Sequence, residues 1–491
     1  MTDYKLFING KWLEDKGQER FPAINPYTRE EWASLVQASE QQVAAAIAAA
    51  REAFETRWSK TSGAERARLM HRLADLLAAD AERMGRLEST DNGKVIRETQ
   101  SQMLFAARQY RFFAGYADKL WGKTIPLDQR DTLDYTVREP IGVAVLITAW
   151  NSPMGLLSNK LAPALAAGNC VVVKPSEHAS ATTLEFAKFV EAAGFPPGVF
   201  NVVTGDARVG KALLSSGRID RVSFTGSPAV GREIAAAAGR ALVPSTLELG
   251  GKSPNMIFED ADLKKAIVGA LAGIFAATGQ TCIAGSRLLV QRPVYKQVVE
   301  ALVDRASRIK LGDPCDRATE MGTAANEPQF ERILKMIEGA KQDGATLVAG
   351  GGRASGPGLG HGFFVQPTIF KDVANEMTLA QEEVFGPVLS IIPFDTEEEA
   401  IEIGNATRYG LAAGVWTESL PRAMRVSRAI RAGTVWVNTY RAVAVQAPFG
   451  GFKESGFGRE RGEVALDEFT NIRNVMIDFS NEERDPFAIK L

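Results

Sequence analysis

The 491 residues carry 57 Lys and Arg against 59 Asp and Glu, a formal net charge of −2, with 45% hydrophobic and 24% charged residues. A chain of this length exceeds one ordinary core, so two or more domains are expected. The near balance of charge argues against a general nucleic-acid binder and a polybasic membrane protein, which leaves small-molecule chemistry as the default.

The N-terminal residues from Met1 to Ile8 lack a basic stretch followed by a long apolar run, and no apolar segment reaches membrane-spanning length, so a cytoplasmic location is expected. Leu6 to Leu13 reads as a hairpin around Asn9-Gly10, a pair that accepts the positive φ of a two-residue turn. Helices follow. In 39–57, Val43, Ile47, Ala50 and Phe54 share one face at helical spacing, and Ser62-Gly-Ala-Glu65 has the pattern of a capping box. The segment 118–140 fits neither of the α/β regions described next.

From Ile141 the pattern changes to short β-rich runs, at 142–147, 170–173, 199–203 and 221–224, separated by helical stretches such as 153–167 and 179–193. This alternation predicts a mostly parallel sheet with helices on both faces, whose ligands bind beyond the carboxyl ends of the strands. Four turn clusters fall at or near strand ends. Thr148 to Pro153 offers Asn151 as a neutral oxyanion donor, or as a helix cap before Pro153. Lys174-Pro-Ser-Glu177 suits either a ribose or an ordinary exposed ion pair. Phe224 to Gly231 has a small-residue turn before a Pro-initiated helix, whose free amides favour a pyrophosphate; it lacks the Gly-x-Gly-x-x-Gly spacing. Glu382 to Pro387 sets a carboxylate beside Phe385 and a rigid turn.

A second α/β region is expected from about 252 to 465, with helices near 261–276 and 294–309 and strands near 286–290 and 388–393. Its Gly-rich stretch 350–362 reads as a surface connection. Within this region Cys282 sits among small and polar residues with glycines close on both sides, and Glu248 precedes Gly250 and Gly251 upstream. A thiol in such a setting is either a small buried hydrophobe or a nucleophile whose charge nearby amides support. The other cysteines, Cys170 and Cys315, form no Cys-x-x-Cys pair with it, and His71, His178 and His361 are scattered. A disulfide framework, a metal site and a Cys-His hydrolase are therefore disfavoured. In the tail, 475–479 reads as a strand that pairs outside its own domain.

Taken together, Thr148 to Pro153, Lys174 to Glu177, Phe224 to Gly231, Leu247 to Pro254, Gly279 to Cys282, Glu383 to Pro387 and Pro448 to Arg459 resemble, in order and approximate spacing, the successive motifs of the NAD(P)-dependent aldehyde dehydrogenase superfamily. The resemblance covers nearly the whole chain. It implies an α/β fold with a Rossmann-like cofactor domain (1–117 and 141–250), an α/β catalytic domain (251–465) and a small β oligomerisation arm (118–140 and 466–491), assembled as a homodimer or homotetramer.

The same resemblance implies that Cys282 attacks an aldehyde, Asn151 holds the oxyanion, Glu248 activates water against a thioester and Lys160 supports the proton path. It implies cofactor contacts at Thr148, Trp150, Lys174, Ser176, Glu177, Gly226, Ser227, Leu249, Glu383 and Phe385. Glu177 favours NAD, with NADP as an alternative, because a carboxylate repels a 2′-phosphate. The positions matching the aldehyde tunnel are Ser152, Leu156, Asn159, Thr281, Ile283, Arg441, Val443 and Phe449. Ser152 and Asn159 are expected to widen or polarise its entrance. Arg441 is either a partner for an anionic, semialdehyde-like substrate or a solvent-facing arginine. Two rival readings stand beside this one. A CoA-acylating enzyme is disfavoured by Glu248, and a non-catalytic binding protein is disfavoured by the presence of Cys282, Glu248 and Asn151 together.

Overall fold

The computed structural model describes residues 1–481 and residue 487. Its first sheet has eight strands in the order Gly456–Phe457, Ser245–Glu248, Arg221–Thr225, Val143–Ile147, Cys170–Lys174, Phe200–Val202, Leu6–Ile8 and Lys11–Leu13. The parallel strands are buried along nearly their whole length because helices cover both faces, which is why their sequences are continuous apolar runs rather than alternations. Register sets Ile147 beside Lys174 and Phe224, and Thr225 beside Glu248. One rim of the sheet thus carries the ends of four strands and the turns that follow them.

The N-terminal hairpin forms as its sequence predicts, with Asn9 and Gly10 at φ 53° and 70° and Ile8 paired with Lys11. The first helix, Glu40–Thr56, is closed by a reciprocal capping box between Ser39 and Gln42. The box expected at Ser62 is only half made. Ser62 accepts from the Glu65 amide, but the Glu65 carboxylate is taken by a two-pronged bond to Arg68, which a guanidinium fork one turn along holds better than a single amide does.

The second sheet has seven strands in the order Thr346–Ala349, Thr368–Lys371, Val388–Phe394, Arg287–Gln291, Pro254–Ile257, Ala412–Trp416 and Thr434–Val437. All its pairings are parallel except that of the outermost Thr346–Ala349. Helices Leu263–Phe275 and Arg292–Ala306 pack against it over its own apolar clusters. The chain then returns to the first core. Gly456–Phe457 adds antiparallel to Ser245–Glu248, and Ala465, Leu466 and Phe469 pack with the first sheet's residues. That return delivers residues 459–461 to the carboxyl-end rim.

A third, three-stranded sheet joins Thr470–Asp478, Thr132–Pro140 and Thr124–Ile125, with nine paired positions between the two long strands. The strand expected at 475–479 lies within it, up to Asp478. Residues 482–486 and 488–491 of the expected arm lie outside the described residues. Among the described residues no helix is long and apolar enough to cross a membrane.

Candidate active site

Cys282 follows an unusual backbone. Ala277, Thr278 and Gly279 are all left-handed, at φ 54°, 56° and 69°. For the two non-glycine residues this costs roughly 1–2 kcal/mol each. Bonds around the turn hold it in place: Glu98 Oε1 accepts from the Ala277 amide at 3.1 Å, and the Gln280 side chain bonds Thr323 O and Ala325 N at 3.2 and 2.9 Å. Gly279 is obligatory, since a Cβ there would lie 2.1 Å from Gly386 O. The Cys282 that results is half-buried and forms no disulfide.

Asn151, just past the strand Val143–Ile147, donates Nδ2 to Gln280 O at 2.9 Å, two residues before the thiol. It caps no helix: the following helix Pro153–Ala167 begins after Ser152, which makes no side-chain cap. The Asn151 carbonyl is held from behind by Lys94 Nζ, which also donates to Ser152 Oγ at 2.6 Å and Gln102 Oε1 at 3.3 Å. From the other side, the end of Ser245–Glu248 approaches through Gly251, where a Cβ would lie 2.4 Å from Cys282 O. Glu248 is buried, and neither of its carboxylate oxygens has a hydrogen-bond partner. Burial, reinforced by the Glu460 carboxylate, holds its carboxyl well above the usual range. Burial likewise pushes the Cys282 thiol up to about 12, with the charges of Glu383 and Glu248 adding to the effect and Arg461 opposing it. The resting pair is a thiol beside a carboxyl of raised proton affinity.

Lys160 is wholly buried rather than a helix-surface cation. Its Nζ donates to Glu460 Oε1 at 2.5 Å and to Ser223 Oγ at 3.1 Å, and Asn159 Nδ2 donates to the other Glu460 oxygen at 3.2 Å. Glu460 went unread in the sequence because the recognised motif ends one residue earlier, at Arg459. A signal existed: every residue of 157–167 is buried, and a lysine there demands an acid. Nothing local in the sequence marks Lys94 or Arg461.

The rim also gathers the residues expected to meet a cofactor. Lys174 is buried, donating to Pro175 O at 3.1 Å with Glu177 at 3.5 Å, so the two are not an ordinary exposed pair. Burial lowers the Lys174 pKa, opposed by Glu177. Ser176 accepts from the His178 amide and, through its carbonyl, from Ser180 Oγ. Thr148 is buried with its hydroxyl unpartnered. Gly226 has no room for a side chain, since its Cβ would lie 2.3 Å from the Phe224 ring, and its amide donates to Glu248 O at 3.1 Å. Ser227 caps the helix Pro228–Arg240 by accepting from Val230 N at 3.3 Å. Leu249 packs where a Cβ on Gly231 would sit. Glu383 Oε1 accepts from the Gly251 amide at 3.0 Å, and burial pushes its carboxyl up to about 7 despite that bond and nearby Lys252. Phe385, at φ 57°, meets Trp150 edge to face at 5.3 Å. A cradle lacking side chains, a helix N-terminus with one amide capped by Ser227, and unspent polar groups on one rim fit a dinucleotide.

The aldehyde dehydrogenase family profile matches residues 12–475. An aldehyde dehydrogenase of Emericella nidulans is 45% identical over 472 residues, covering 96% of this chain and 94% of the relative. This chain belongs to the aldehyde dehydrogenase family. The (Z)-2-((N-methylformamido)methylene)-5-hydroxybutyrolactone dehydrogenase of Acinetobacter baylyi is 43% identical over 495 residues, all of both chains. Among solved structures, the NAD+ complex of a Bacillus cereus aldehyde dehydrogenase has a TM-score of 0.95 at 44% identity, covering 97% of each chain. A betaine aldehyde dehydrogenase from Staphylococcus aureus in complex with NAD+ has a TM-score of 0.97 at 38% identity, covering 99% of this chain and 97% of that one.

On the side of this aldehyde dehydrogenase expected to admit substrate, Ser152, Leu156 and Thr281 are half-buried and Ile283 is buried, its carbonyl accepting from Tyr440 OH at 3.0 Å. Asn159 does not polarise an open entrance. It is buried, and its amide is taken by Gln109, Arg461 and Glu460, because an uncompensated amide at that depth costs more than the exposure it would give up. Arg441 is left-handed at φ 60° and half-buried, donating Nη1 to Ala272 O at 3.2 Å, so it is not a freely solvated arginine. Val443 is 48% exposed, at the outer edge. Phe449 packs under the Arg461 guanidinium.

Proposed function

We propose that this aldehyde dehydrogenase oxidises an aldehyde to a carboxylic acid through covalent attachment of the substrate to Cys282. The convergence of Asn151 and Glu248, from two strand ends of the first sheet, on Cys282, from the loop after the helix Leu263–Phe275, carries the reading. Loss of the Cys282 proton to water in the site gives the thiolate, and its attack on the aldehyde carbon forms a C–S bond and an oxyanion. The free N–H of the Asn151 amide, fixed by its other N–H on Gln280 O and by Lys94 behind it, donates to that oxyanion. NAD, when bound, supplies the hydride acceptor that makes the attached carbon a thioester. In its ionised form Glu248, a stronger base for its raised proton affinity, takes a proton from water, the hydroxide adds to the thioester carbon, and the C–S bond breaks to return Cys282 as thiolate and release the acid, which ionises to the carboxylate. With both its oxygens unpartnered, Glu248 is free to accept that proton. Lys160 and Glu460 behind it offer an exit for the charge.

Lys174, Ser176 and Glu177 would hold the adenosine end of NAD. Gly226, Ser227 and Leu249 would flank its phosphates, and Glu383, Phe385, Thr148 and Trp150 its nicotinamide end. The NAD+ found in the Bacillus cereus and Staphylococcus aureus structures supports this assignment. The Glu177 carboxylate favours NAD over NADP, so a higher kcat/KM with NADP would refute the preference.

The substrate class we propose is a polar or anionic aldehyde. A 5-hydroxybutyrolactone, the compound class in the name of the Acinetobacter relative, is in general chemistry the ring-closed form of a 4-oxo acid. Residues 1–117 with 141–250 would form the cofactor domain, 251–465 the catalytic domain, and 118–140 with 466–491 an arm for self-association into a homodimer or homotetramer. The exposed Ile472, Met476, Ile477 and Leu133 on that arm support an interface. The unpaired Cys170, Cys282 and Cys315 favour a reducing, cytoplasmic setting. NADH formation from a panel of aldehydes, with and without CoA, tests the activity. Release of free acid without CoA is expected, strict CoA dependence would make the enzyme a CoA-acylating aldehyde dehydrogenase, and no NADH with any aldehyde would refute catalysis.

A further inference from the structure

Arg461 is the cation the catalytic scheme leaves unused. Its guanidinium lies between two aromatic rings, 4.9 Å from the Phe449 centroid and 5.3 Å from that of Phe105. Its Nε donates to Asn159 Oδ1 at 3.0 Å, which fixes the plane of the fork. Among the described residues the two terminal nitrogens make no hydrogen bond or ion pair, and neither is sealed away as a buried unsatisfied atom. An arginine in this state is oriented, partly stripped of water and still holds its donors in reserve.

The Arg461 guanidinium makes no direct ion pair with the nearby acids, although Glu460 and Glu248 act on it through space. Glu460 already has Lys160 at 2.5 Å and Asn159 at 3.2 Å, and the Glu248 carboxyl is held above its usual range by burial. Phe449, the ring 4.9 Å from the guanidinium, is one of the positions matching the aldehyde tunnel, and the charge of Arg461 acts on Cys282, so the guanidinium lies on the side of the site expected to admit substrate. A planar fork between rings matches a carboxylate two-pronged, a geometry that a lysine in the same place would not reproduce.

We propose that Arg461 is a specificity-determining residue that holds a carboxylate at the far end of the substrate, making the preferred substrates short-chain semialdehydes. The proposal rests on the aldehyde oxidation described above and narrows it. It assigns the anion to Arg461, at the inner cleft, rather than to the outer Arg441.

The test compares succinate and glutarate semialdehydes with butanal and pentanal in wild type, Arg461→Leu and Arg461→Lys. In Arg461→Leu the kcat/KM for the semialdehydes should fall about 10- to 100-fold, the range set by one charge-assisted contact, chiefly through KM, with the neutral aldehydes little affected. Arg461→Lys should recover part of the loss. A second readout needs no turnover: glutarate should slow iodoacetamide labelling of Cys282 in wild type but not in Arg461→Leu. Should the leucine variant fail to fold, the lysine variant carries both comparisons. Equal losses for acidic and neutral aldehydes would overturn the proposal, because Arg461 would then be acting on the thiol. So would unchanged kinetics with unchanged glutarate protection. Wild-type activity without preference for the acidic aldehydes refutes this inference alone. Absence of activity with every aldehyde refutes the oxidation reading beneath it.

Discussion

Two buried charged clusters flank the helix Pro153–Ala167, and they differ in how their charges are met. In the first, Lys160 touches Glu460 directly while Glu248, beside them, has no hydrogen-bond partner at all. In the second, Glu88 accepts from the Met154 amide at 3.2 Å and Asp91 from the Ala181 amide at 3.2 Å, each at the start of a helix, while Lys94 reaches past them to Asn151 and Ser152. Helix N-termini favour an ionised acid, yet burial wins here and raises the two carboxyls to about 7 and about 8. In the first cluster one acid has both oxygens unpartnered; in the second each acid spends an oxygen on a helix N-terminus, with Glu88 Oε1 left unpartnered, and Lys94 holds the oxyanion loop. A carboxyl left wholly unpartnered, rather than charge or burial, separates the catalytic cluster from the scaffold.

The sharpest way to separate the clusters is Glu248→Gln, which should slow acid release by roughly 100-fold or more, the usual scale for a general base, while leaving thermal stability nearly unchanged. Steady-state acid production alongside a melting curve checks this, and a large stability loss would make Glu248 structural. Glu460→Gln should do the opposite in kind. It strands buried Lys160, and urea titration should show a cost of about 3–5 kcal/mol, the scale of a broken buried pair. In the second cluster, Lys94→Met should lower kcat about 10-fold by releasing the Asn151 carbonyl, with little change in NAD affinity. An equal loss in Lys94→Arg and Lys94→Met would sharpen the case for ammonium geometry, and no loss in either would remove Lys94 as a positioning residue.

The last expected effect is in stability against pH. Asp91 holds its proton in the folded protein up to about pH 8, whereas an unfolded aspartate releases it near pH 4. Between those values the folded state binds more protons, so stability present at low pH is lost as pH rises through the window. Asp91→Asn should therefore melt higher than wild type at pH 8 and no higher at pH 4. A constant difference across that range would contradict the raised carboxyl.

Much of the first sheet was legible because parallel buried strands leave uninterrupted apolar runs, as at Val143–Ile147 and Cys170–Lys174. The Asn9-Gly10 turn was legible because few other residue pairs accept its φ values. The site residues on the strand ends stood out by motif. The second cluster did not: Glu88, Asp91 and Lys94 lie in and just after an unremarkable helix, Ala81–Asn92, and acquire their partners from 154, 181 and 151 only on folding. The same holds for Glu460 and Arg461, which reach the rim because the chain returns from the second sheet to the first. Asn159 was misjudged as an open polar entrance since its three partners are distant in sequence. The capping box at Ser62 failed for a local reason, as Arg68 competed for Glu65.

The most direct test of Cys282 as the attachment point is the intact mass of Glu248→Gln mixed with NAD and an aldehyde it oxidises, followed by peptide mapping. With deacylation slowed, the protein should gain the mass of one acyl group on the peptide carrying Cys282, and Cys282→Ala in the same background should gain none while still binding NAD. An acyl group on Cys170 or Cys315, or NADH formed by Cys282→Ala, would contradict the account.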